Sequence, residues 1–308
     1  MSLREGQRLR TFALVLDLGS ISAAASVLGY TQSAVSQQLA ALEREVGLPL
    51  VDRGQRPLRP TSAGAALRPA VDRALAALGS ADAVVDDLRG GVSRLRLAAF
   101  PSALSSFVPR AVRDLRRTRD AVVVQVLQLE TREAVEHLRG GAADIAVVHH
   151  MPGVAVPDVS GLQVQRLAVD ELLVVVPDSH RLAAREEVAV ADLQDEPLIL
   201  PRRETAAGRF RAVVEHLCAQ AGFTPRVAFE LDDLLAAQAF VAAGIAVVAM
   251  HGLALTTVPA GVTVRPLAER PAGSRTVEAL VPPSSHGSIA DELLERLRGS
   301  ARTHTRAR

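Results

Sequence analysis

The chain has 308 residues, 48% of them hydrophobic, a single cysteine (Cys218) and a formal net charge of +1. This length predicts two or three domains, the apolar content excludes global disorder, and one cysteine excludes an internal disulfide, as suits a reducing cytosol. All 35 basic residues are arginine, which excludes P-loop and pyridoxal Schiff-base chemistry, and the balanced charge means that any affinity for nucleic acid must come from a local patch.

The first residues, MSLREGQRLRTF, lack the apolar stretch of a signal peptide. Residues 1–60 read as short helices. In the segment GSISAAASVLGYTQSAVSQQLAALEREVGL, Ser20 or Ser22 can cap a helix whose Ala23, Ala24 and Ala25 let a second helix cross closely. Gly29 suits its end, and Thr31 can cap the next helix. In that second helix Val35, Leu39, Leu42 and Val46 recur at helical spacing as an apolar stripe, while Gln32, Ser33, Ser36 and Gln37 lie on another arc near its start. Two helices joined by a short turn, with donors and acceptors at the head of the second, fit a helix-turn-helix, although periodicity alone favours a solvated polar face on an ordinary helix pair.

Residues 61–89 read as one long helix. Leu67, Val71, Ala74, Leu78, Ala81, Val85 and Leu88 repeat at spacings of 4 and 3, an a/d seam for which an identical helix is the simplest partner. Pro69 should kink it near its start. Gly90-Gly91 breaks the pattern. Strands are then expected at 95–100, 122–129, 144–148, 172–177, 197–200 and 245–250, with helices at 109–117, 132–139 and 209–221. Such alternation indicates an α/β sheet protein. The most apolar run, 240–250, is too short for a membrane span and reads as a buried helix followed by a strand.

Phe12, Gly19-Ser20, Ala24-Ala25, Leu28, the run Gln32-Ser33-Ala34-Val35-Ser36, Leu42-Glu43, Gly47, Leu50, Arg53, Thr61 and Ala63-Gly64 together resemble the signature of the LysR family of bacterial transcriptional regulators over about sixty residues in register. Val51 departs from the family's phenylalanine and Pro60 from its apolar residue before Thr61; both bear on the wing. LRLAAFPSALSSFVP, LRGGAADIAVV, LLVVVPDSHRLA and FVAAGIAVVA resemble, in the same order, segments of that family's effector domain, with Arg119-Asp120 replacing its usual tyrosine and proline.

The resemblance implies an N-terminal all-α winged helix-turn-helix, a long linker helix, and an α/β effector domain of two lobes like a periplasmic binding protein. It divides the chain into a DNA-binding domain at 1–61 (motif about 21–40), a linker and dimerisation helix at 62–90, and an effector-binding domain at 91–298. Lobe I takes 94–166 and 268–298, and lobe II 168–267; 299–308 read as a disordered tail. The implied DNA contacts are Gln32, Ser33, Ser36, Gln37 and Thr61 with Arg53 and Arg56, joined by Arg59, on phosphates or in the minor groove. In the cleft, Ser102 and Thr131 stand where the family places hydroxyl contacts; Arg202, Arg203 and Thr205 follow a second-lobe strand and would face them, arginine being suited to a carboxylate.

A small anionic effector is therefore expected. With 3% aromatic residues and no tryptophan, the pocket should hold few rings beyond Phe100 and Phe107, favouring an aliphatic or polar acid. The expected partners are double-stranded promoter DNA, the effector, further copies of the chain as dimer or tetramer, and RNA polymerase, with no membrane and no cofactor. His149-His150 does not make a metal site, since adjacent strand residues point to opposite faces. No catalytic motif such as G-x-S-x-G or H-E-x-x-H occurs, so no catalytic residue is assigned. The alternatives are a solute-binding protein, which would need an export signal, and an α/β enzyme, which would need a catalytic set.

Overall fold

A computed structural model of the chain describes residues 3–54, 57–88, 93–119, 121–205, 208–269, 273–282 and 289–306. It comprises two compact units, Met1–Arg94 with Glu136–Ala143, and Leu95–Val135 with Asp144–Arg308.

The first unit opens with helices α1 (Leu3–Leu18), α2 (Ile21–Leu28) and α3 (Gln32–Val46). Ser20 Oγ accepts the N–H of Ala23 and caps α2; Thr31 Oγ1 accepts that of Ala34 and caps α3. Gly29 and Gly47 end these helices at φ of 68° and 74°, the left-handed conformation that costs glycine nothing. Ala24 and Ala25 are fully enclosed and bring α2 close to α3 over a core of Phe12, Val15, Val35, Leu39 and Leu42. The expected stripe stops there, because Val46 is exposed. Strands β1 (Val51–Asp52) and β2 (Arg59–Pro60) pair antiparallel, Val51 opposite Pro60. The smaller Val51 is still buried in the core, and proline is tolerated in so short an edge strand.

Helix α4 (Ser62–Leu88) continues through Pro69. Leu67, Val71 and Leu75 pack on the same chain's core, and Leu78 lies against Gly6 of α1. The first half of the expected seam thus also meets this chain's own core, with Leu67, Ala74 and Leu78 left half-buried. The side chains of Ala81, Val85 and Leu88, and Gly90-Gly91, lie outside the described residues.

The second unit holds two five-stranded sheets. Lobe I contains β3 (Ser93–Ala99), β4 (Val122–Gln128), β5 (Ile145–His150), β6 (Gln163–Asp170) and β12 (Arg275–Val281), in the order β4-β3-β5-β12-β6. Its helices are α5 (Pro101–Ser105), α6 (Val108–Arg116), α7 (Thr131–Arg139) and α10 (Ile289–Arg306). Lobe II contains β7 (Leu172–Pro177), β8 (Leu198–Leu200), β9 (Val227–Glu230), β10 (Val247–His251) and β11 (Val262–Pro266), in the order β11-β7-β10-β8-β9, with α8 (Gly208–Gln220) and α9 (Leu234–Ala242). The Asp144 carboxylate takes the Arg96 N–H at 2.7 Å and its guanidinium at 2.8 Å, tying β3 to the start of β5. In lobe II, His180 and Arg181 share the carboxylate of Glu196.

Several boundaries differ from expectation. β6 runs to Asp170, so the first crossing between lobes falls at Glu171 rather than before 168. Residues 299–306 continue α10 instead of forming a disordered tail. Leu293, Leu297 and Ala301 recur every four residues in the lobe I core, and one small apolar residue per turn suffices to hold a polar segment in register. Arg119 pairs with Glu292 of α10 at 3.0 Å, while Asp120 is outside the described residues. Cys218 is buried among lobe II side chains, and burial pushes its thiol up to about 11.

The lobes exchange side chains. Met151, just after β5 of lobe I, is buried in the lobe II core, and Leu253, just after β10 of lobe II, is fully buried in the lobe I core.

A Cβ on Gly64 would stand 2.0 Å from the carbonyl oxygen of Leu50, a backbone atom that cannot swing aside. Gly64→Ala should therefore lower unfolding stability of the N-terminal unit by about 1–3 kcal/mol, the usual cost of overpacking; unchanged urea midpoints would refute this packing.

Candidate functional site

Two regions gather the polar residues singled out in the sequence. On α3, Gln32, Ser33 and Gln37 are exposed and Ser36 half-buried, on the side away from buried Val35 and Leu39. The amides and hydroxyls here can both donate to and accept from base edges. Glu43 steadies the approach to the wing: Oε1 accepts the N–H groups of Leu50 and Val51, and Oε2 takes the Arg53 guanidinium at 3.0 Å. Arg53 remains half-exposed beyond that pair, Arg59 is exposed on β2, and Arg56 lies outside the described residues. Thr61 is reassigned. Its hydroxyl donates to the carbonyl of Pro49 at 2.7 Å and accepts the N–H of Gly64 at 3.1 Å, so it caps α4 and its proton is not free for a phosphate.

The second region is a cavity of about 210 Å³ in the Leu95–Val135/Asp144–Arg308 unit, lined by both lobes. The ends of β3, β5 and β10, the start of β12, and the junction of β4 with α7 bring Phe100, Ser102, Glu130, Thr131, His149, His251 and Arg275 to its wall. Arg275 is buried. Its Nε donates to Asp170 at 2.8 Å, its Nη2 donates to Ser102 Oγ at 2.6 Å, and its guanidinium lies 4.8 Å above the centre of the Phe100 ring. The other oxygen of Asp170 accepts the N–H of Leu253 at 2.9 Å. Thr131 is equally committed: its hydroxyl donates to the carbonyl of His149 and accepts that residue's N–H. The expected hydroxyls Ser102 and Thr131 therefore do line the cleft, but as parts of its frame.

Arg202, Arg203 and Thr205 are a correction, for none of them lines the cavity. Arg202 and Thr205 bind Asp232, and Arg203 binds Glu215 through two hydrogen bonds. These side chains are thus already paired, and Asp232 rather than either arginine reaches the cavity wall. The lobe II cation at the wall is Arg209, at the start of α8.

Sequence reasoning missed Arg275, Arg209, Glu130 and His251, and set His149 aside with the metal question. The available signal was weak: Arg275 opens a strand, RTVEALV, whose alternation of buried and part-buried residues appears only once β5 and β6 flank it. The expected scarcity of rings also fails locally. Phe100 meets His149 edge-on at 4.7 Å, and Phe210 meets His251 at 5.1 Å. The ring-poor composition conceals their concentration at one place.

Electrostatics follow from burial. Desolvation, reinforced by the Arg275 charge, holds both His149 and His251 below the ordinary histidine value, His251 well below, so both are neutral imidazoles. Glu130 is held below the usual carboxylate range by the His149 imidazole beside it, against the opposing effect of burial. Among the described residues, no group of three histidine, cysteine or acidic side chains is placed to hold a metal ion, and no helix is long and apolar enough to cross a membrane.

Residues 88–302 match the family model of the LysR substrate binding domain, and residues 7–65 that of the bacterial regulatory helix-turn-helix proteins of the lysR family. The HTH-type transcriptional regulator ShiR of Corynebacterium glutamicum (strain R) is 32% identical over 254 residues, covering 82% of this chain and 84% of that protein. AlsR of Bacillus subtilis (strain 168), also an HTH-type transcriptional regulator, is 28% identical over 78% of each chain. The fold is similar to that of the crystal structure of CbnR, a LysR family transcriptional regulator, with a TM-score of 0.68 and 24% identity over 96% of this chain and 99% of that one.

The two histidines predict an acid sensitivity. Where the folded protein keeps them neutral, the unfolded chain takes up protons as pH falls through about 6.5, the ordinary histidine value, and stability declines across that range. This window lies above that of the carboxylates. The urea midpoint of the second unit should drop between pH 7 and pH 5, and His149→Gln should flatten part of the drop; parallel pH profiles would show that His149 is not the titrating group.

Proposed function

The chain belongs to the LysR family of transcriptional regulators, and from that membership we propose how its residues share the work. It is a DNA-binding regulator of transcription with a substrate-binding domain, rather than an enzyme. In our reading Gln32, Ser33, Ser36 and Gln37 read base edges in the major groove, and Arg53, Arg56 and Arg59 meet the backbone phosphates. The cleft takes a small carboxylate-bearing effector, with Ser102 and Thr131 as its frame and Arg209 and Arg275 as its cations. The regulator works in the cytosol as a dimer or tetramer, which the unpaired, buried Cys218 and the length of α4 support.

One observation carries the effector reading. The side chain that lines the cleft, Arg275, is hydrogen-bonded to Asp170, and Asp170 holds the N–H of Leu253, which is buried in the lobe I core. A ligand that engages Arg275 thus touches the point where the chain crosses between lobes. Differential affinity for one lobe arrangement shifts the population toward it, and the same coupling makes operator DNA alter effector affinity by the same factor. Footprinting on the promoter beside the gene, with and without pooled metabolites, tests both halves; a footprint that no metabolite alters counts against the effector.

Gln32→Ala or Ser36→Ala should weaken operator binding by about 1–3 kcal/mol and leave random DNA nearly unaffected. Equal losses on both DNAs would exclude base reading by these residues. Arg53→Ala should weaken binding to every sequence and lower the salt slope by about one unit, as read from titrations at several salt concentrations.

A further inference from the structure

Most charges at the cleft are already paired, and the few that are not define what is missing. Asp232 is taken by Arg202 and Thr205, and Asp170 by Arg275 and the Leu253 N–H. Three groups have capacity left. Glu130, in lobe I, has the neutral His149 ring at 3.9 Å and no ion pair with an arginine among the described residues, though Arg275 and Arg209 lie within reach of its charge; about a third of its side chain is exposed. Arg209, in lobe II, makes no ion pair among the described residues, and Arg275 Nη1 has no partner among them. An ionised carboxylate only accepts hydrogen bonds and a guanidinium only donates them. Glu130 therefore requires a donor from the ligand, and Arg209 and Arg275 Nη1 an acceptor.

Charge narrows the choice. Arg275 is balanced by Asp170 and Asp232 by Arg202, so Arg209 and Glu130, which pair with no opposite charge among the described residues, balance each other and leave the cleft neutral. A dicarboxylate would set a like charge beside Glu130 in a half-enclosed site, where repulsion is stronger than in water. A simple amine would leave Arg209 unanswered. We infer that the effector is a small zwitterion of the free amino acid class, its ammonium on Glu130 of lobe I and its carboxylate on Arg209 and Arg275 Nη1. The inference rests on the effector reading of this cleft. Glu130 is then the residue that selects for the amine, and it stays ionised for that task because His149 lowers its proton affinity. Phe210, Met151, Met250 and Leu234, also at the wall, receive an apolar side chain. The carboxylate then bridges Arg275 of lobe I and Arg209 of lobe II while the ammonium stays on lobe I, so one ligand ties the two lobes together.

The test is calorimetric titration of the full-length chain with the twenty free amino acids, and with hydroxy acids and dicarboxylates of matching carbon skeleton. At least one amino acid should bind, and its hydroxy acid should bind about tenfold more weakly or worse, as expected when a charged hydrogen bond is lost. Glu130→Gln should cost the amino acid about tenfold and the hydroxy acid little, whereas Arg209→Ala should weaken both. The comparison of amino acid with hydroxy acid on the unaltered protein needs no variant to fold. Binding by none of the twenty, or equal binding of the hydroxy acid or dicarboxylate, overturns the inference. A metabolite that shifts the operator footprint yet carries no ammonium overturns it too, while leaving the effector reading intact; a footprint that no metabolite shifts is the failure of that reading itself.

Discussion

The ion pair between Arg275 and Asp170 organises the sensing unit. Both side chains are almost wholly buried, at 8% and 2% exposure, and their nitrogen and oxygen stand 2.8 Å apart. Taking two charges out of water is costly, and close geometry with further hydrogen bonds is needed to offset it. Here Ser102 and the Leu253 N–H supply those bonds, and the Phe100 ring covers the guanidinium. Removing one partner would strand the other's charge in a dry site, where loss is typically about 3–5 kcal/mol. Asp170 ends one crossing strand and Arg275 begins the other, directly opposite it in register. The pair therefore fixes the two crossings against each other, and the surrounding histidines are neutral partly because this arginine is not.

The head depends on a similar economy with one acidic residue. Glu43 accepts two successive backbone N–H groups where the chain leaves α3 for the wing and also holds Arg53. The wing is two residues per strand, too little to hold its own conformation. Its geometry comes from that carboxylate, from the cap at Thr61, and from the contact of Gly64 with the Leu50 carbonyl. Each of these residues belongs to the family-like pattern, and each has a packing reason for being there.

Legibility from sequence followed the locality of the interactions. Caps and helix ends at Ser20, Gly29 and Thr31 are decided within four residues and were readable, whereas Gly47 was met only as part of the family-like pattern. Strands of continuous apolar residues, such as 172–177, were equally plain. β6, β9, β11 and β12 were not, because they mix polar and apolar residues and become strands through neighbours far away in the chain. The cleft illustrates the same limit more sharply: Phe100, His149, His251 and Arg275 come together from four strand ends separated by up to 175 residues. Arg202 and Arg203 looked suitable by residue type and position after a strand. Asp232 and Glu215, also distant in sequence, decided otherwise.

The exchange of Met151 and Leu253 bears on how such a domain can be inherited. Each lobe has its own sheet, and on a diagram each looks like a cassette that recombination could move. Yet the lobe I core is complete only with a leucine encoded in the middle of lobe II, and the lobe II core only with a methionine encoded at the end of a lobe I strand. A crossover that replaced one lobe alone would bring in a foreign plug and leave a mismatched socket, each a packing fault in an otherwise intact core. New ligand specificities in this lineage are thus more accessible through point changes at the cleft wall than through shuffling of lobes, and a designer grafting one sensor onto another has to carry both crossings and both plugs together.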